Sequence, residues 1–316
     1  MNRYYYCSSI FIAMLVASIL ATSCGGNGQK SGTSDKPREF TLPTIPSIYT
    51  HPVERADYLA GHYWDNFDFS DTSLILLPEI GEQAFVNYID IFPHVTEGAL
   101  RSSVNKTLDR AQVSPQMFTH FTGLFEKYLY DPNSPARNEA YYRLVLEYLI
   151  GSPQVDSLNK IRPQFLLIQV NKNRPGIIAT DFVYTLANGK QESMRRIKSE
   201  YLILFFHNPG CSACAEYQQW LERSPVFQQM EGTGKLKILA MYVDADIDAW
   251  RAHRSDFPTS WINGYDASTT IRNNNLYDLR AIPSLYLLDR EKKVLLKDAT
   301  PNQVEERLLS FLQNAQ

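Results

Sequence analysis

The hydrophobic positions of this chain follow two different spacings, and the change comes near residue 174. Before it, apolar side chains recur every three or four positions, as Tyr141, Leu144 and Tyr148 do, which is the spacing of one helix face. This pattern predicts helices over 53–65, 79–92, 97–111, 115–130, 136–150 and 157–171. The short loops between them predict a compact all-α helical domain over 51–173.

After residue 174, short apolar runs alternate with helical segments. The pattern predicts a β-hairpin with a type I′ turn at Asn188-Gly189. It also predicts strands over 201–207, 236–243, 284–289 and 293–296, and helices over 211–230, around 247–254 and over 302–314. The alternation predicts an α/β domain over 174–316, with a central sheet flanked by helices.

The N-terminus has the pattern of a secretory signal peptide. One positive charge, Arg3, precedes an apolar run over 10–20 that is too short to span a bilayer. The small residues that follow resemble a bacterial lipobox, in which the cysteine receives a lipid and becomes the mature N-terminus. Ordinary cleavage and an uncleaved anchor are the alternatives. We predict a lipoprotein signal peptide over 1–23, lipidation of Cys24, and a flexible Gly/Ser-rich tether over 24–50.

The net charge and the cysteine content limit the classes of function that this chain can have. The net charge is −3 and the chain has no basic tract, which argues against nucleic acid as a partner. Of the four cysteines, Cys7 leaves with the predicted signal peptide and Cys24 takes the lipid. Cys211 and Cys214 are then the one remaining pair of thiols in the mature chain. An exported protein with a single such pair has no separate disulfide framework, so the pair is free for exchange chemistry.

The pair itself, Cys211-Ser212-Ala213-Cys214, follows an apolar strand and begins a predicted helix. A helix N-terminus stabilises a thiolate through its dipole and its free N–H groups. A static disulfide and half of a zinc site are the alternatives. A zinc site needs about four ligands, and the sequence has no second Cys-x-x-Cys, so we predict a redox pair with no metal and no cofactor.

A second feature accompanies the pair: Pro283 directly begins a later apolar strand. The combination of strand, Cys-x-x-Cys, helix and this proline resembles the thioredoxin fold, and specifically the TlpA/ResA-like branch of membrane-tethered thiol–disulfide oxidoreductases. The resemblance implies a central mixed sheet, a cis bond before Pro283, and a substrate-peptide groove shaped by the backbone of Ile282. It also implies thiol–disulfide exchange, in which Cys211 attacks a substrate disulfide and Cys214 resolves the mixed disulfide.

Three nearby positions modify this interpretation. Gly210 stands where the family often has tryptophan, and Phe205 replaces the buried acid that assists proton transfer in thioredoxin. His207, four residues before Cys211, either tunes the pKa of that thiol, or helps to bind copper as in metallochaperones of this fold, or simply ends a strand.

The helical domain also resembles a known domain family. Residues 63–69 (YWDNFDF) are similar to an uncharacterised domain that precedes thioredoxin-like modules in bacterial lipoproteins. Its aromatic residues form either a helical core or a ligand cleft.

The function we predict is that of a membrane-anchored thiol–disulfide oxidoreductase of the cell envelope, facing the periplasm. Its expected partners are disulfides of exported proteins, a thiol electron donor, and the membrane through the lipid on Cys24. The alternatives are a thiol peroxidase and a partner- or glycan-binding lipoprotein with an accessory redox module.

Overall fold

A computed structural model describes residues 39–314, so the predicted signal peptide over 1–23 and the predicted lipidation of Cys24 lie outside the described residues. The first half of the described chain is helical. Its α-helices are α1 (Pro52–His62), α2 (Pro78–Gly81), α3 (Gln83–Asp90), α4 (Glu97–Ala111), α5 (Pro115–Leu129), α6 (Glu139–Gly151) and α7 (Ser157–Asn171). Within residues 39–314, no helix combines the length and the apolar content that crossing a bilayer requires.

The predicted helix over 79–92 is divided at Glu82 into α2 and α3. The carboxylate of Glu82 accepts a hydrogen bond of 2.5 Å from the hydroxyl of Tyr128, which belongs to α5. This contact with α5 therefore fixes Glu82, the residue at which the predicted helix is interrupted. The other five predicted helices are present, with ends that differ by three residues at most.

The core of the helical region is aromatic. The Trp64 side chain is 3 % exposed, and its ring centroid lies 5.0–5.5 Å from those of Phe67, Tyr88 and Phe121. Phe40, which the sequence places in the tether, also packs on Trp64, with 5.3 Å between the ring centroids. The aromatic residues of residues 63–69 thus form core rather than a cleft, and the packed helical region begins before residue 51.

The second half of the chain alternates strands and helices around one sheet. Its elements are β1 (Val183–Thr185), β2 (Gln191–Ser193), β3 (Tyr201–His207), α8 (Ser212–Arg223), α9 (Pro225–Gly232), β4 (Leu236–Tyr242), α10 (Ile247–His253), β5 (Ile262–Tyr265), α11 (Thr270–Asn273), β6 (Ser284–Leu288), β7 (Val294–Lys297) and α12 (Pro301–Asn314). The strand order is β2-β1-β5-β4-β3-β6-β7. Strands β3, β4 and β5 are parallel, and the other pairs are antiparallel, so the sheet is mixed as predicted.

Two local predictions for this region are wrong, and two short elements were not predicted. The hairpin turn is not of type I′, because Gly189 has a positive φ and Asn188 does not. The helix predicted over 211–230 is two helices, since Pro225 lacks an N–H and Ser224 caps a new helix by accepting from the N–H of Phe227. Strand β5 and the short helix α11 are present although the sequence pattern did not predict them.

Strand β3 lies in the interior of the sheet and positions the cysteine pair. Its side chains alternate between two cores: Leu204 and Phe206 face one side, while Ile203 and Phe205 face the other. Cys214 belongs to the second core. The chain leaves β3 at the end where the parallel strands present their carboxyl termini, and α8 begins there.

Candidate active site

Cys211 and Cys214 form a disulfide at the N-terminus of α8, with their Cα atoms 5.2 Å apart. Cys211 occupies the N-cap position, and its Sγ accepts from the backbone N–H of Cys214 at 3.1 Å. Cys211 is half-buried and Cys214 is 4 % exposed. In the reduced protein the same N–H and the helix dipole favour a thiolate at Cys211.

The loop before β6 faces this sulfur. The Sγ of Cys211 lies 3.8 Å from the carbonyl oxygen of Ile282, and the Ile282–Pro283 peptide bond is cis, as the resemblance implies. Ile282 packs against the cores on both sides of the sheet. The structure therefore brings together four residues that the sequence singled out: the two cysteines, Ile282 and Pro283.

Polar contacts that the sequence analysis missed hold the loop before the cysteines. The Nδ2 of Asn208 donates to Asp244 at 2.6 Å, and Arg272 pairs with the same carboxylate at 2.8 Å. Asp244 follows the end of β4, the strand that pairs with β3. The loop is thus fixed to the neighbouring parallel strand, and no local sequence signal reveals a contact across that distance.

Gly210, which stands where the family often has tryptophan, has a φ of 75°, in the left-handed region that favours glycine. A residue with a side chain pays about 1–2 kcal/mol for this left-handed conformation. A Cβ at Gly210 would meet no atom within 4 Å, so the energetic cost comes from the backbone conformation and not from a clash.

We expect Gly210→Trp to lower the free energy of unfolding by about 1–2 kcal/mol in urea titration. Gly210→Asn is the matched control, because asparagine tolerates the left-handed region and is expected to cost less than tryptophan. Equal costs for the two variants would contradict the conformational explanation.

His207 is buried at the end of β3, with 3 % of its surface exposed. Its ring packs against those of Phe205 and Phe257, whose centroids lie 5.4 and 4.5 Å away. Burial lowers the pKa of His207 to about 4. A neutral imidazole supplies no positive charge at neutral pH. His207 therefore has no charge with which to lower the pKa of the Cys211 thiol.

The buried histidine makes the fold sensitive to acid. The unfolded chain has the ordinary histidine pKa near 6.5, so it binds the proton before the folded chain does. The contribution of His207 to stability is therefore fully present above pH 6.5 and falls by about 3 kcal/mol as the pH decreases to about 4. We expect His207→Leu to flatten the dependence of unfolding free energy on pH over this window. His94→Gln removes an exposed histidine and should keep the slope of the unmodified protein; an unchanged slope in His207→Leu would contradict the prediction.

Phe205 is fully buried in the core that contains Cys214. The position of the thioredoxin acid is therefore apolar here, and Phe205 contributes no proton transfer to the resolving cysteine.

A partly buried group of charged side chains lies beside the Ile282 loop, and we call it the Arg137 network. It consists of Arg137, Glu139, Asp278, Arg280, Lys297 and Asp298. Oxygens of its three carboxylates lie within 4.8 Å of one another, a spacing that a metal ion can use. Three cationic side chains already pair with these three carboxylates, so the charges balance as an ion-pair network.

Comparisons with known proteins agree with this architecture. Residues 21–173 match the model of a domain of unknown function, DUF5106. A thioredoxin-like protein from Bacteroides caccae is 48 % identical, with a TM-score of 0.83, over 87 % of this chain and 99 % of that one. No curated protein matches at a significant level.

Two further solved structures each match less than half of the chain. The C-terminal domain of an uncharacterized protein from Bacteroides fragilis is 50 % identical over 43 % of this chain and 98 % of its own, with a TM-score of 0.43. The thioredoxin domain of a thiol-disulfide oxidoreductase from Bacteroides vulgatus is 20 % identical over 44 % of this chain and 97 % of its own, with a TM-score of 0.38. With the high identity to the Bacteroides caccae protein over nearly its whole length, the chain belongs to the thioredoxin-like proteins that carry an N-terminal DUF5106 domain.

Proposed function

We propose that this protein is a thiol–disulfide oxidoreductase that reduces or exchanges disulfides of exported proteins, anchored in the cell envelope by a lipid on Cys24. The observation that supports it best is the position of the Cys211 sulfur. That sulfur lies at a helix N-terminus and 3.8 Å from the Ile282 carbonyl, and its partner Cys214 is buried behind it. Such a site presents one reactive sulfur to a substrate and withholds the other.

The exchange proceeds in two displacements. The Cys211 thiolate attacks one sulfur of a substrate disulfide; a Cys211–substrate bond forms, the substrate disulfide breaks, and the released thiolate takes a proton from solvent. The Cys214 thiol, after losing its proton, attacks the Cys211 sulfur and displaces the second substrate thiolate. The substrate gains two electrons and the protein keeps the disulfide seen here. A thiol reductant must then return the pair to its reduced form.

The soluble chain that begins after Cys24 tests this function. With dithiothreitol as reductant, it is expected to accelerate the reduction of insulin disulfides, and its cysteine pair should equilibrate with glutathione buffers. A pair that cycles in glutathione while insulin reduction stays at the dithiothreitol rate would refute the proposal. Peroxide consumption by the reduced protein would favour the peroxidase alternative instead.

A groove in the helical region supports a second candidate, the binding of a partner or glycan. The groove has a volume of about 740 Å³ and is lined by residues of α5, α6 and α7, among them Phe118, Thr119, Tyr142 and Arg162. Thr119→Trp places a large ring at an exposed position of this lining. If binding is the main function, this variant should lose saturable binding to a soluble glycan or peptide in a titration series while insulin reduction is unchanged.

A further inference from the structure

The loop that faces Cys211 is held from its far side by the helical region. This segment, 278–284, contains Ile282, follows α11 and ends at the first residue of β6. The Nη2 of Arg137 lies 3.1 Å from a carboxylate oxygen of Asp278, at the beginning of the segment. The two residues are separated by 141 positions along the chain.

The same arginine also reaches the end of the segment. Its Nη2 lies 2.9 Å from Asp298, and the other carboxylate oxygen of Asp298 accepts from the hydroxyl of Ser284 at 2.5 Å. Ser284 follows Pro283 directly. One guanidinium of the helical region therefore fixes the segment at both of its ends.

A second contact acts in the middle of the segment. The guanidinium of Arg280 lies 3.7 Å from the centre of the Tyr130 ring and is paired with Asp278 at 2.6 Å. Tyr130 follows α5 and stacks on Tyr142 of α6, with 4.8 Å between the ring centroids. Arginine over a tyrosine face is an attractive contact that is stronger where water is excluded.

Most side chains of the Arg137 network are shielded from water, so their ion pairs tolerate little displacement. Apart from Arg280, which is 35 % exposed, its side chains are between 7 and 16 % exposed. Without Arg137, the carboxylate of Asp298 has no cationic partner among the described residues, while Asp278 keeps Arg280 and Glu139 keeps Lys297. Asp298 must then move towards water or take up a proton. A change at Arg137 is therefore transmitted to Asp278 and Asp298, and through them to the loop.

We propose that Arg137 is a positioning residue, which holds segment 278–284 so that the Ile282 backbone can pair with an extended polypeptide while Cys211 attacks its disulfide. The inference rests on the proposed function. It assigns the helical region a part in recognising polypeptide disulfides as opposed to small ones. A small disulfide needs access to the Cys211 sulfur alone, whereas a polypeptide also needs the loop in place.

The test compares two substrates with the reduced soluble chain that begins after Cys24. Second-order rate constants are measured for insulin, a polypeptide disulfide, and for 5,5′-dithiobis(2-nitrobenzoate), a small one. For Arg137→Met we expect the insulin rate constant to fall by about 10-fold or more and the small-disulfide rate constant to stay within about twofold, because loss of positioning penalises only the substrate that uses the loop.

Arg143→Met is the matched control. Arg143 lies on α6 and pairs with Glu147 at 2.6 Å, away from the loop, so both rate constants should be unchanged. An equal loss on both substrates in Arg137→Met, or no loss on insulin, would overturn the inference.

A second variant keeps the inference testable if Arg137→Met does not fold. Ser284→Ala removes the hydroxyl that joins Asp298 to β6, and it should lower the insulin rate constant selectively by about threefold. Equal rate constants for Ser284→Ala and the unmodified chain would overturn the role of this link. Failure of the proposed function itself is distinguishable, because the unmodified reduced chain would then reduce insulin no faster than a free thiol does.

Discussion

Replacing Cys211 with serine is expected to lower the rate constant for disulfide exchange by about a thousandfold or more, because a hydroxyl at this position is a far weaker nucleophile than a thiolate. The Sγ of Cys211 accepts from the Cys214 N–H and lies at the first turn of α8, so the thiolate is stabilised where a substrate can reach it. Insulin reduction by the purified soluble chain measures the effect. The fold should persist, since serine is itself a good N-cap residue.

Cys214→Ser is the matched control, because it makes the same chemical change three residues away. Cys211 can still attack, but the buried partner that releases it is gone. We therefore expect a long-lived mixed disulfide with substrate, visible by non-reducing electrophoresis and released by dithiothreitol. No such adduct is expected for Cys211→Ser. An adduct that forms through Cys214, or substantial insulin reduction by Cys211→Ser, would reverse the roles of the two cysteines.

Trp64→Ala is expected to lower the free energy of unfolding by about 3–5 kcal/mol, the usual cost of removing a large buried aromatic side chain. Trp64 is 3 % exposed and contacts rings from several parts of the helical region, including Phe40, Tyr88 and Phe121. The cavity left behind is bordered by rings that cannot all move inward. Urea titration followed by circular dichroism measures the loss.

Trp220→Ala provides the comparison for this stability prediction. Trp220 is 46 % exposed and its Nε1 donates to Glu305 at 2.9 Å, so its removal should cost under about 1 kcal/mol. Similar losses in the two variants would show that Trp64 does not contribute through core packing.

Strand β3 and the cysteine pair were predictable from sequence because their signals are local. The strand is buried on both faces and is therefore a continuous apolar run, bounded by Tyr201 and His207 as predicted. The helix start at the pair follows from the two cysteines and the strand before them. The relation of Pro283 to this pair came from the resemblance and not from spacing alone.

Strand β5 was missed because its sequence is typical of a turn. It contains Asn263-Gly264, and yet Gly264 lies in a strand paired with β4. A Cβ at Gly264 would come within 2.8 Å of the Tyr184 ring, so a glycine is required by a distant side chain. The Arg137 network was missed for a related reason, because it joins charges from distant segments and leaves no periodic pattern.

The Arg137 network also limits how this protein can recombine. The helical region contributes Arg137 and Glu139, and the thioredoxin-like region contributes Asp278, Arg280, Lys297 and Asp298. Each set is neutral by itself and keeps one ion pair of its own, but Lys297 and Asp298 pair with residues of the helical region. A chimera that joins the thioredoxin-like region to an unrelated partner would leave the partly buried charges of Lys297 and Asp298 without these counterions, unless the matching side chains are transplanted with it. The two regions are therefore expected to be inherited as one unit.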